Sequence, residues 1–386
     1  LLVAGGSRLI VHDFTTQMLR SYAGHTTRLT TLVPPSPAFP YLISGDTMGM
    51  LRTWAPPDAT ARVAIRTTAA LYKAVPVSRG GPLIAIGASA TIPWYARTGE
   101  SGVLTGHDPS HVALIASRTE PRVVIYGAGS DELEMWSFAP EPTHRIVKWP
   151  HGAVSTVAFT PDGKRLVIGS HDGAITEWTD DDHHRELWSL GEPVEFVRVV
   201  PGSDRVVIAG AGDALWLGTA TGLVRLGSEP DRIASAVCSS DGRWLALGSV
   251  RGAVRLYDLS TGTSEVIVRG EPWIGALSFS PDSRSLGIVT ANKVILYPTP
   301  GTPGARREID LAARHLAFSP DGAWLALTCD HGELWFYRRR DDHWVYLSLG
   351  TARIPLGLFS EDGASFAATD ASGRALLVDM RAHVFD

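Results

Sequence analysis

Thr160-Pro161-Asp162-Gly163 recurs along this chain with a period near forty residues. Ser239-Ser240-Asp241-Gly242, Ser280-Pro281-Asp282-Ser283, Ser319-Pro320-Asp321-Gly322 and Ser360-Glu361-Asp362-Gly363 repeat it, with aspartates 41, 39 and 41 residues apart. Asp162 and Asp241 stand 79 residues apart, two periods, and Pro201-Gly202-Ser203-Asp204 fills the midpoint. Such self-similarity is expected of a chain built by stacking one supersecondary unit.

Each unit has the same internal order. In one, Val154–Phe159 alternates as a half-buried strand does. The Pro-Asp-Gly turn follows, where Pro presets φ and Gly accepts the positive φ of a tight hairpin. Leu166–Ser170 reads as a short apolar strand, His171-Asp172-Gly173 as a second turn, Ala174–Trp178 as a third strand and Arg185–Leu190 as a fourth. Four short strands per forty residues predict one blade of an all-β propeller of four-stranded antiparallel blades. A β-sandwich has similar strand spacing but no fixed four-beat repeat. The 39 Gly and 25 Pro are then turn residues, too many for a helical bundle.

At these residues the chain resembles the WD-repeat β-propeller family. The family's Gly-His before the first strand matches Gly24-His25 and Gly106-His107, and Pro150-His151 in part. Its Asp six residues before an aromatic matches Asp172 and Trp178; elsewhere Met48, Arg251 and His331 stand six before Trp54, Tyr257 and Tyr337. Trp-Asp itself is replaced by His12-Asp13, Tyr257-Asp258 and Val378-Asp379. The resemblance implies a buried His–Asp–Ser/Thr–Trp network that ties a blade together. Here it is expected in a single unit, from His151, Ser170, Asp172 and Trp178, with a structural role.

Strand counting leaves the closure open. Residues 1–24 supply three strands, eight full units begin near 28, 69, 110, 153, 193, 232, 273 and 313, and a last unit begins near 352. That makes about 38 strands, more than seven four-stranded blades hold. One expectation is a seven-bladed ring over 106–386, closed by Ser101–His107 as a strand lent to the last blade. Residues 1–105 are then the C-terminal blades of a truncated preceding propeller. The alternative is one nine- to ten-bladed ring closed by the two chain ends, with 1–105 its first blades. No Pro- or Ser-rich linker marks residue 105.

Composition narrows the function. Hydrophobic residues make up 44% of the chain, enough for a large core. A net charge of −5, with no basic stripe interleaved with aromatics around Arg62, Arg66 or Arg79, points away from nucleic acid. No apolar run reaches membrane-spanning length, so no membrane partner is expected. Walker, zincin, Cys-x2-Cys and nucleophile-elbow motifs are missing, and Cys238 and Cys329 read as core residues. Neither catalytic residues, nor a metal, nor a cofactor is expected. Asp180-Asp181-Asp182-His183-His184 and Arg338-Arg339-Arg340-Asp341-Asp342-His343 read as solvated charged turns on one rim.

The opposite rim, formed by the loops before first strands and between second and third strands, is where propeller partners are expected. It should present His171, Arg251, Trp273, Lys293, His331 and Arg353 to a protein partner or to an upstream effector domain of the same polypeptide. Four Lys against 31 Arg suggest a GC-rich, bacterial source, and the absence of an initiator Met suggests a piece of a longer protein. The combined reading is a non-catalytic, cytoplasmic interaction scaffold or sensor. The alternative is a propeller hydrolase or lyase, or a small-ligand binder, with its site in the central channel. That alternative calls for polar inner strands, yet Val154–Phe159, Val194–Val199, Ile274–Phe279 and His315–Phe318 are largely apolar.

Overall fold

The computed structural model describes residues 2–5, 8–13, 18–23, 25, 27, 29–33, 35, 41–54, 61–66, 71–76, 83–87, 91–94, 112–117, 119–127, 130–138, 143–179, 183–212, 214–228, 233–348, 354, 356–360, 362–369 and 375–380. Every regular element among them is a strand. Seven four-stranded antiparallel blades span 29–66, 112–148, 154–189, 194–228, 233–268, 274–309 and 313–348, each with its strands in chain order. The chain is therefore an all-β propeller. A three-stranded sheet spans 71–94, and a six-stranded sheet joins the two ends of the chain.

First strands line the centre of the ring, because they pack on one another from blade to blade. Val154–Phe159 meets Val194–Val199, and Ile274–Phe279 lies between Ile233–Cys238 and Ala313–Phe318. Ala313–Phe318 then meets Leu356–Phe359. Leu29–Val33 packs between Ser365–Thr369 and Leu71–Pro76. In most blades the first strand carries a bulge after its first residue, as between Val154 and Thr156 or Ala313 and His315. The bulged residue re-aims its side chain out of the ladder.

The core is divided among the blade interfaces. Val124, Leu133 and Met135 of one blade pack with Val154, Leu166, Ile168 and Trp178 of the next. Trp324, Leu334 and Phe336 pack likewise with Ile354, Phe366 and Val378. Gly169 explains how closely blades approach: a Cβ there would lie 2.6 Å from Val194 Cγ1, the first residue of the following blade. Any larger residue would wedge that interface open.

The repeated turn is held by one side-chain device. The hydroxyl of Thr160, Ser239, Ser280, Ser319 or Ser360 donates to the aspartate two residues on, at 2.5–2.6 Å. The same oxygen accepts the N–H five residues on, at 2.9–3.1 Å. The aspartate in turn accepts the N–H two residues beyond itself. Both polar side chains thereby satisfy backbone groups that the turn takes out of the ladder. The Thr160 hydrogen bond leads in holding the Asp162 carboxyl below its ordinary range. Four of the five turns place Gly at φ 68–71°; the fifth places Ser283 at φ 59°. The Ser283 hydroxyl accepts the Asp241 N–H of the preceding blade at 3.1 Å.

Arginines link these turns from blade to blade. Arg122 Nη1 donates to the carbonyls of Gly163 and Lys164 at 3.1 and 3.0 Å. Arg205 reaches the carbonyls of Leu259 and Gly242 at 2.7 and 2.9 Å. Arg339 donates to the Gly322 carbonyl within its own blade and to Ser285 Oγ of the preceding one. The arginine excess, which the sequence suggested was a compositional habit, has a structural use here.

In the six-stranded sheet, Leu2–Gly5 lies beside Ala375–Asp379, with Leu2 opposite Leu377 and Val3 opposite Leu376. The strand that covers the C-terminal edge is therefore Leu2–Gly5. Ser101–His107, expected in that role, and the expected boundary near residue 105 lie outside the described residues.

Two outcomes are expected. Ser319→Ala removes a buried hydroxyl that serves Asp321 and the Trp324 N–H, and should cost about 1–3 kcal/mol in denaturant melts. Ser319→Thr should cost far less, since Thr160 fills the same position. Equal losses for the two would show that the hydroxyl is dispensable. Deleting residues 1–24 should uncover the Ala375–Asp379 edge, lowering the melting temperature and shifting the protein to earlier elution with rising concentration. Unchanged melting and elution would mean that edge needs no cover.

Candidate functional site

The rim opposite the Pro-Asp-Gly turns is built from the loops that lead into each first strand and the tight turns between second and third strands. A cluster of linked side chains on this rim lies on the 274–309 and 313–348 blades. Trp273 stands just before the strand Ile274–Phe279 and is half-buried. Arg314, the bulged residue of Ala313–Phe318, carries its guanidinium carbon 5.0 Å from the Trp273 ring centroid. Its Nε and Nη2 both reach Asp330 Oδ2, at 2.7 and 2.5 Å. Asp330 opens the turn that exposes His331. Trp273, Arg314, Asp330 and His331 thus form one continuous patch across two blades.

Lys293 lies on the adjoining turn. Its Nζ is 3.0 Å from both Glu271 Oε1 and Glu308 Oε2, and Arg306 also reaches Glu308. The two carboxylates, Glu308 foremost, raise the lysine's pKa. The expected cation is therefore neutralised by its neighbours, and its role is to hold the loop carrying Glu271 beside Trp273. His171 and Arg251 occupy exposed tips of the corresponding turns in the 154–189 and 233–268 blades. Arg353 lies outside the described residues. Sequence reasoning missed Arg314 and Asp330: both follow from the bulge and turn positions, which the period locates, but their pairing across the sheet is not written in any motif.

The four residues expected to form one buried network are distributed differently. His151 Nδ1 and Asp172 Oδ2 are 3.4 Å apart near the surface, and Asp172 caps the Ala174 N–H. Ser170 Oγ accepts from Trp149 Nε1 at 3.0 Å, so Trp149 takes the place expected for Trp178. Trp178 is 2% exposed, within the apolar interface.

The complete network lies instead in the 29–66 blade. Trp54 Nε1 donates to Ser44 Oγ at 2.7 Å, Ser44 Oγ is 2.8 Å from His25 Nε2, and His25 Nδ1 is 2.7 Å from Asp46 Oδ2. Indole is only a donor, so Ser44 Oγ accepts from Trp54, and the Asp46 carboxylate accepts from His25 Nδ1. Burial favours the neutral histidine, whose Nε2 then accepts the Ser44 proton. Asp46 Oδ1 accepts the N–H groups of Met48 and Met50, fixing the turn. The sequence search missed this set because the aspartate stands eight residues before Trp54 rather than six.

Burial is the leading cause that lowers the His25 pKa, against the opposing pull of Asp46. The unfolded chain therefore takes up a proton more readily than the folded one below the ordinary histidine value, near 6.5. The contribution of His25 is present above that pH and is lost as pH falls through and below it. His315, lowered by burial alone, adds in the same direction. Stability is expected to fall between about pH 7 and 5, and the slope to flatten in His25→Gln. Parallel pH profiles for both proteins would refute this assignment.

Burial pushes the thiols of Cys238 and Cys329 up to about 11 and about 12, which disfavours the reactive thiolate. Along the channel, Val194–Val199 departs from the apolar expectation by exposing Glu195 and Arg198. No group of three or more His, Cys, Asp or Glu among the described residues is placed to hold a metal ion. On the other rim, Asp341 pairs with Arg338, and Asp342 pairs with Arg307 and Tyr337. That charged turn is pinned rather than freely solvated. Asp180, Asp181 and Asp182 lie outside the described residues.

Residues 143–179 match the WD domain, G-beta repeat family. The chain is a β-propeller that carries a WD repeat. The crystal structure of the computationally designed Ika8 protein is similar over 93% of this chain and 98% of its own, with a TM-score of 0.58 at 14% identity. The β-propeller domain of Cps50 (Swd1) from Myceliophteria thermophila is similar over 70% of this chain and 99% of its own, with a TM-score of 0.44 at 17% identity. No curated protein sequence matches the chain.

Proposed function

We propose that the chain is a non-catalytic protein-recognition module whose partner docks on the rim around Trp273, Arg314 and His331. Propellers with WD repeats commonly mediate protein interactions. The observation that carries the reading is the Trp273–Arg314–Asp330 stack, an aromatic and a guanidinium held at fixed geometry across two blades. Trp and Arg dominate binding hot spots, and a side chain already held in place loses less entropy on association. The exposed His171 and Arg251 extend the same face around the ring. A role as the scaffold or sensor part of a larger, cytoplasmic bacterial polypeptide fits this reading.

Partners captured by the intact chain from lysate of the source organism should be lost on Arg314→Ala and on Trp273→Ala. They should be retained on His343→Ala, on the opposite rim. Capture that survives both rim substitutions, with folding confirmed by circular dichroism, would remove the rim from the function.

A further inference from the structure

On the flank of the 112–148 blade, toward the rim of the Pro-Asp-Gly turns, a cavity of about 40 Å3 opens beside the neighbouring blade. Strand register builds it. Arg122 lies opposite Ser137, and Ser137 opposite Thr143, so one row across three strands sets a guanidinium and two hydroxyls on one face. The next row on that face is Val124, Met135 and Arg145. All six residues line the cavity, and Trp178 of the next blade closes it. No aspartate or glutamate is among its lining residues.

Arg122 is 8% exposed, and its hydrogen bonds to the Gly163 and Lys164 carbonyls hold the guanidinium in place. Thr143 and Arg145 are exposed on the outer strand, so the mouth faces solvent. The volume is roughly three times what one water requires. We propose that this cavity binds a tetrahedral oxyanion of the phosphate class through Arg122, Ser137, Thr143 and Arg145. Planar guanidinium forks and hydroxyls are suited to phosphate oxygens, and an acid-free lining spares the anion a like charge. The site is separate from the rim proposed for protein recognition, so either reading can fail without the other.

Binding of inorganic phosphate to the full chain is measured by calorimetry and by tryptophan fluorescence, against chloride at equal ionic strength. Saturable phosphate binding is expected. It should weaken at least tenfold in Arg145→Gln and severalfold in Ser137→Ala/Thr143→Val, with folding of each variant confirmed by circular dichroism. Trp273→Ala should leave it intact. O-phosphoserine in a second arm separates the sources: competition with phosphate supports a monoester ligand, and binding of phosphate alone supports the free anion. A phosphate response no larger than that of chloride would overturn the proposal. So would undiminished phosphate binding in both the Arg145→Gln and the Ser137→Ala/Thr143→Val proteins.

Discussion

A hydroxyl at the end of an inner strand, donating to an aspartate and accepting a backbone N–H, is the interaction on which this architecture rests. Each blade must reverse direction within a few residues of its innermost strand, where the next blade's core already presses against it. At the strand side of that reversal the backbone groups are buried, as at Trp244 and Trp324, so they need partners from within the turn. One serine and one aspartate supply them. Where the hydroxyl is missing, at buried Val200, Val200 still donates to the Arg205 carbonyl at 2.8 Å, and Ser203 Oγ donates to the Val200 carbonyl and accepts the Arg205 N–H, at 3.2 and 3.4 Å. There Arg205 is drawn into neighbouring carbonyls instead.

The turns also set how the blades communicate. Their carbonyls are the acceptors for Arg122 and Arg205, and the Ser283 hydroxyl is the acceptor for Asp241 N–H across a blade interface. Hydrophobic contact brings the sheets together without direction; these hydrogen bonds fix the registration of the interfaces they cross. The opposite rim is joined across blades as well, by Val154 N–H to the Ser130 carbonyl and Ile354 N–H to the Cys329 carbonyl. Its turns are closed locally, as by Asp172 or Asp46, which leaves residues such as Arg314 and His331 to be placed by other demands.

Much of the fold was legible because turn chemistry recurs at fixed intervals. Thr160, Ser239, Ser280, Ser319 and Ser360 locate every following hairpin, and the alternation of Val154–Phe159 locates the inner strand. The His25 network was not legible by the same means. Its aspartate is displaced by two residues, and a spacing rule sees only distance along the chain, whereas the hydrogen bond depends on distance in space. Trp149 displacing Trp178 is the same lesson reversed: the spacing was correct, but a nearer indole reached Ser170 first. On the rim, Trp273, His331 and Lys293 were found as turn residues. Arg314 escaped notice because it lies within a strand and becomes a rim residue only through a bulge.

Among the described residues, the sheet that joins the chain's beginning to its end pairs Leu2 with Leu377 and Val3 with Leu376. Ladders within the blades run from three to six pairs. The two ends of the chain thus meet side by side in one sheet, and the ring is closed by strand pairing rather than by packing alone. A ring closed in this way has no free sheet edge at the join, so its beginning and its end are folded only together.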